Sequence, residues 1–259
     1  MNNNEIRIVT SSGNLNMNED DIDYIKAKLK GYDITFGKNV NKSIPEYNCP
    51  SIEDRKNDIE EKWVVVPEKV TFSKKKIRQQ IHFQEQYFDS EVILQKNPKI
   101  IIGFSDATSL LNAIYSQTKL KTYYGPNFSV LAMRKGNDYT YEYLNKVLNN
   151  EEEYYINPAI SWSSDKWYKD QDNRKFIKNN GMNIINEGNA EGTIIGGNLN
   201  TFSLLQGTKY MPIAQKIILF IEEDNWANED YLYEFDRRLQ SLTQQAFFKK
   251  VKGIIIGRA

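Results

Sequence analysis

The sequence predicts an α/β protein, an N-terminal doubly wound parallel sheet followed by a smaller β-rich unit. Three observations carry this. Short β-branched runs alternate with longer segments whose apolar residues recur at helical spacing. The order strand, helix, strand occurs twice before residue 125, and three more β-branched runs follow a long polar stretch. Parallel neighbours need crossover connections, and helices supply them.

Taken in order, "EIRIVTSS" is the first strand, and "EDDIDYIKAKLKGY" places Ile22, Ile25 and Leu29 on one helical face that ends at Gly31. "DITFG" is a second strand. "KIIIGFS", "DATSLLNAIYSQTK" and "LKTYYGP" repeat the pattern. From Arg134 to Asn189 the chain is rich in Asn, Asp, Glu, Lys and Tyr and reads as a connection of helices and loops. "EGTIIGGNLNTFSLLQGT", "KIILFIEED" and "VKGIIIGRA" supply the last strands. The expected division is an N-terminal α/β domain over 1–133, a connection over 134–190 and a C-terminal β-rich domain over 191–259. In such sheets the functional edge lies at the carboxyl ends of the strands.

The 259 residues suffice for a sizeable core, and 40% hydrophobic with 26% charged residues is an ordinary globular composition. Lys+Arg and Asp+Glu balance at 34 each, so no global field draws the chain to nucleic acid or to an anionic membrane, and neither is expected as a partner. Cys49, the single cysteine, excludes an intrachain disulfide and a cysteine-rich metal site. No metal and no cofactor is expected. No basic segment followed by a long apolar run opens the chain, and no apolar run reaches membrane-spanning length, so a cytoplasmic protein is expected.

Ser105 stands just past a buried strand, with Asp106 and Thr108 after it. One reading makes Ser105 a turn residue and Asp106 a helix N-cap, because Ser and Asp favour helix starts for local reasons. The other makes Ser105 a nucleophile at a strand-to-helix turn, beside N-terminal amides that can stabilise an oxyanion. "GFSDA" lacks the second glycine of the G-x-S-x-G elbow.

Several spaced segments together resemble the LD-carboxypeptidase and microcin C self-immunity family of serine peptidases. "NPKIIIGFSDATSLLNAIY" resembles its nucleophile segment, "LKTYYGPN" a strand ending in a Gly-Pro turn, and "EGTIIGGNLNTFSLLQGTKYMP" its Gly-Asn block. "KIILFIEED" with "EFDRRLQSL" resembles the acid-bearing strand and following helix, and "VKGIIIGRA" a strand near the end of the resemblance. The wording of "GGNLNT" and "YYGPN" leans to the immunity branch. The resemblance implies a Rossmann or flavodoxin-like first domain, a Ser-Glu-His triad and a homodimer. Ser105 matches the nucleophile and Glu222 the acid that orients the histidine, with Asp106 giving backbone support at the oxyanion. Glu223 points to the opposite strand face, and for both acids a solvated strand end is the plain alternative. Trp162 and Trp167 fall in the connecting region where immunity-type members stack aromatic side chains on the substrate's nucleotide, with packing on the inter-domain surface as their alternative. Gly197 and Asn198, after Gly196, match substrate-binding positions, the plain alternative being a turn. Asp236 and Arg237 read as a structural pair.

Two departures qualify the resemblance. The family's histidine follows the "GIIIG" strand in a Gly-His segment that lies beyond Ala259, so the C-terminal domain reads as truncated and the 259-residue chain as inactive. His82, the only histidine present, does not match that position. Residues 62–95 also read as foreign to the family, and no glycine occurs between Gly37 and Gly103 to form its oxyanion loop. The expected function is a cytoplasmic serine carboxypeptidase that cuts an amide bond in a murein peptide or a microcin C-like peptide-nucleotide, in murein recycling or antibiotic resistance. The alternative is an incomplete relic that only binds a ligand or a sister subunit. An open strand edge at "GIIIGRA" predicts self-association.

Overall fold

The computed structural model describes residues 4–10, 12–45, 49–63, 69–73, 99–223 and 231–257. Five strands form the first sheet: β1 (Glu5–Thr10), β2 (Asp33–Phe36), β3 (Lys69–Ser73), β4 (Ile100–Gly103) and β5 (Thr122–Tyr124). Their order is β2-β1-β3-β4-β5 and every pairing is parallel. The order reverses between β1 and β3, as in doubly wound sheets.

Strand alternation explains the layers. Ile6 and Ile8 of β1 and Ile102 of β4 face a core built with α1 (Glu19–Lys28) and α4 (Asp138–Leu148). Val9 and Ile101, one residue away, face α3 (Thr108–Thr118) on the other side. α1 begins where Asn18 accepts the Asp21 N–H at 2.7 Å, and three acids in its first turn with Lys26 and Lys28 in its last oppose the helix dipole. α2 (Ile52–Trp63) packs Ile52 and Ile59 against the α3 side.

The second sheet holds β8 (Thr193–Asn198), β9 (Ile217–Glu222) and β10 (Val251–Ile256), parallel and in the order β10-β9-β8. Helices α5 (Leu199–Ser203) and α6 (Tyr231–Thr243) lie in its connections. Between the sheets come α4 and a two-stranded antiparallel pair, β6 (Ser161–Trp162) with β7 (Ile177–Lys178). One continuous apolar core joins the units: Leu110, Leu111 and Ile114 of α3 pack with Ile195, Leu199, Phe202, Leu219 and Ile221. α3 is therefore buried by both sheets. No helix among the described residues is long and apolar enough to cross a membrane.

The sequence reading places every strand of the two main sheets but one. β3 lies inside the stretch that reads as foreign to the family, yet it pairs with both β1 and β4 at the centre of the first sheet. His82 and most of the glycine-free stretch lie outside the described residues.

Candidate active site

The two parallel sheets bring the carboxyl ends of their strands together. β4 ends at Gly103, Phe104 stays extended, and Ser105 opens a 3-10 turn over Ser105–Ala107 that leads into α3. Ser105 is buried and adopts φ 58°, a left-handed conformation that is costly for a residue with a β-carbon. A strained backbone at a strand-to-helix turn is the geometry of a nucleophile elbow, reached here without the second glycine.

The capping reading of this turn does not hold. Phe104 and Ala107 occupy the cap positions of the 3-10 turn and of α3, and neither cap carries a side-chain hydrogen bond. Thr108 and Asn112, one helical turn apart, reach across to β8 instead. Asn198 N–H donates to Thr108 Oγ1 at 2.9 Å, and Gly196 N–H donates to Asn112 Oδ1 at 3.3 Å. Asn112 Nδ2 donates to the Gly196 carbonyl and to the Thr108 carbonyl, both at 2.7 Å. β8 is an edge strand, and α3 satisfies its outer backbone groups with side chains, as a neighbouring strand would with its main chain.

Glu222 closes β9, in register with Asn198 of β8. Both are buried, as is Glu223, so neither acid is a solvated strand end. Alternation separates the two acids as expected. Glu222 Oε1 accepts the Tyr124 hydroxyl at 2.5 Å, whereas Glu223 lies 3.6 Å from Arg238 of α6. Arg238 also stands 3.5 Å from Glu234, which holds its guanidinium toward the Glu223 side. Gly257, just past β10, leaves room beside Glu222: a β-carbon there would lie 2.9 Å from that of Glu222.

Tyr124 links the halves. Its oxygen accepts the Ser105 N–H at 3.0 Å while its proton goes to Glu222, so one phenol joins the turn of β4 to the end of β9. Burial, and after it the Glu222 charge, holds this phenol far above its ordinary pKa, so it stays a neutral donor. Gly197 adopts φ 132°, and a β-carbon there would come within 2.6 Å of Thr108 Oγ1 and 2.9 Å of Tyr124 Cε2. The room left by that glycine is taken by the protein's own side chains.

Ser105, Asp106, Glu222, Gly197 and Asn198 thus converge. Asn198 Oδ1 accepts the Thr201 N–H at 3.0 Å to cap α5, and its buried Nδ2 has no partner among the described residues. Trp162 and Trp167 belong to the connection: Trp162 is half-buried in β6 opposite Ile177, and Trp167 packs on the first core with Tyr168 edge-on at 5.9 Å. Arg237 pairs with Glu234 at 2.7 Å, not with Asp236 as the sequence reading had it. Sequence reasoning missed Tyr124, Thr108, Asn112 and Arg238. The one signal for Tyr124 was a polar-tipped aromatic at the end of a strand, directly before Gly-Pro.

Residues 80–125 match the LD-carboxypeptidase N-terminal domain and residues 191–259 the LD-carboxypeptidase C-terminal domain. The first match begins inside the 62–95 stretch, so that stretch is in part recognisable. The putative carboxypeptidase YocD of Bacillus subtilis is 41% identical over 264 residues, covering 98% of this chain and 77% of its own length. The microcin C7 self-immunity protein MccF of Escherichia coli is 35% identical over 187 residues, 66% of this chain and 51% of that one. A probable murein peptide carboxypeptidase of B. subtilis is 26% identical over 164 residues, 63% of this chain and 44% of that one. A crystal structure of an MccF-like protein from Bacillus anthracis superimposes with TM-score 0.90 at 38% identity, over 100% of this chain and 78% of that one. MccF solved in complex with aspartyl sulfamoyl adenosine gives TM-score 0.83 at 28% identity, over the same shares. With YocD 41% identical across nearly the whole chain, and the family's two domains matched in order, the chain belongs to the LD-carboxypeptidase family.

Proposed function

We propose that this chain carries the nucleophile and the acid of a serine carboxypeptidase that cuts an amide bond beside a free carboxylate. The observation that carries the reading is Ser105 at φ 58°, joined through Tyr124 to Glu222 across the junction of two sheets. Ser105 Oγ attacks the carbonyl carbon, its proton passes through a base to the leaving amine, and water then hydrolyses the acyl-enzyme. Glu222 orients the base and stabilises its cationic form. Asp106, the residue after the nucleophile, offers its backbone to the oxyanion. A serine hydroxyl without a base is a poor nucleophile at neutral pH, so this reading requires a histidine from outside the described residues.

The substrate class in this reading is a small peptide or peptide-nucleotide. MccF binds an aminoacyl sulfamoyl nucleoside and another relative is a murein peptide carboxypeptidase, so both substrate types occur among the relatives. The unpartnered amide of Asn198 and the half-buried ring of Trp162 are this chain's own candidates to hold such a ligand. A homodimer belongs to the same proposal. Ile184 and Ile185 are 74% and 81% exposed, and Ile254, Ile255 and Ile256 of β10, an edge strand among the described residues, are each exposed by more than 40%. Light scattering after size exclusion should report a mass above the monomer.

The test is covalent labelling by a fluorophosphonate, read by intact mass, with and without imidazole as an external base. Labelling that imidazole accelerates and Ser105→Ala abolishes supports the reading. No Ser105-dependent labelling under either condition leaves only the binding relic.

A further inference from the structure

We propose that Tyr124 is a positioning residue for this site, its phenol tying the Ser105 turn and the Glu222 carboxylate into one hydrogen-bonded chain that sets their separation before substrate arrives. This rests on the reading of Ser105 and Glu222 as nucleophile and acid. The hydroxyl donates to Glu222 Oε1 at 2.5 Å and accepts from Ser105 N–H at 3.0 Å, so both capacities of the phenol are used.

The ring itself is held by the neighbours of the groups it bonds. Phe104, which precedes Ser105, and Phe220, two residues before Glu222 on β9, each stand 5.5 Å from it at 59°. Gly197 completes the slot, because a β-carbon there would press on the ring edge at 2.9 Å.

Two chemical consequences follow. Tyr124 satisfies the N–H at the entry to the left-handed turn and so fixes the peptide plane from which Ser105 projects. One carboxylate oxygen of Glu222 is engaged by a donor, which fixes the rotamer of the acid at the end of β9. The ionisable group bonded to this carboxylate is Tyr124 on β5, while Glu223, next in the chain, pairs with Arg238 of α6.

The test uses wild type, Tyr124→Phe and Glu222→Gln, all with imidazole present. The Phe variant keeps the ring packing and removes only the hydroxyl. Its unfolding should stay cooperative, with a midpoint lowered by the two lost hydrogen bonds, while fluorophosphonate labelling of Ser105 in the folded protein slows at least tenfold. A packing role alone would not move the second readout, the proton NMR spectrum. A far-downfield, slowly exchanging hydroxyl resonance should be present in wild type, absent from Tyr124→Phe and displaced upfield in Glu222→Gln. Should Tyr124→Phe not fold, Glu222→Gln decides, since it preserves the shape of the site and must still move the resonance and slow labelling.

Wild-type labelling in Tyr124→Phe, or no such resonance in wild type, overturns the proposal. If wild type itself is inert to the probe, the nucleophile reading has failed, and the resonance alone decides whether Tyr124 ties the two residues together.

Discussion

Replacing Gly197 by alanine tests the packing at the centre of the site. Its φ of 132° is open to glycine and strained for alanine, and the added β-carbon would meet Thr108 Oγ1 at 2.6 Å, Thr108 Cγ2 at 2.8 Å and Tyr124 Cε2 at 2.9 Å. The backbone term is about 1–3 kcal/mol, and forcing a methyl into a filled core is about 1–3 kcal/mol. A loss of about 3 kcal/mol therefore sits well inside the two ranges, and in a chain of this size it lowers the unfolding midpoint by about 10 °C. Gly207→Ala is the control. Gly207 has φ 75° and nothing within 4 Å of its β-carbon position, so it carries the backbone cost without the crowding. Thermal unfolding followed by circular dichroism should rank wild type above Gly207→Ala and Gly207→Ala above Gly197→Ala. Equal midpoints for the two variants would refute the crowding around Thr108 and Tyr124.

Other predictions follow from single contacts. Asn112→Ala strips the side-chain partners from the part-buried Gly196 N–H and carbonyl and should destabilise by about 1–2 kcal/mol in urea unfolding, since main-chain groups shielded from water are left unsatisfied; a change of a few tenths would refute the latch. Ser105→Gly should be more stable than Ser105→Ala by about 1 kcal/mol, because φ 58° costs alanine and not glycine; the reverse order would refute the strain. Asp58 is buried and accepts from Asn39 N–H and Nδ2, and burial raises its carboxyl pKa against those bonds and the attraction of Arg7. A raised folded pKa means that the group's share of stability is full below the unfolded value of about 3.9 and is lost as pH climbs through the folded one. Asp58→Asn should flatten that fall, and a pH–stability curve parallel to wild type would count against it.

Much of the scaffold was legible because period decides it. "EIRIVT", "KIIIG" and "KIILFIE" are β-branched runs between helical segments, and each is a strand. β3 was not, because "KVTFS" sits between the apolar "WVVV" and a lysine cluster, and five residues cannot show their period against such flanks. At the site, Ser105 and Glu222 were named from resemblance. What the resemblance could not give was the use made of Thr108 and Asn112. Local rules read Thr108 as a cap residue and Asn112 as an ordinary helical side chain. Both are spent on a strand 84 to 90 residues later, a choice only tertiary structure dictates. Arg237 and Arg238 are indistinguishable in "FDRRL", yet only Arg238 reaches Glu223.

The Tyr124–Glu222 bond spans 98 residues of sequence. Contacts that distant form late, since the loop between them must close before it is rewarded. On a translating ribosome the serine turn emerges long before its acid does. The Tyr124 hydroxyl thus lacks this acceptor for most of synthesis and meets it only when the second sheet docks on α3. The bond therefore reports the completion of folding: a polypeptide stalled between the two sheets holds the Tyr124 ring without the carboxylate that receives its proton.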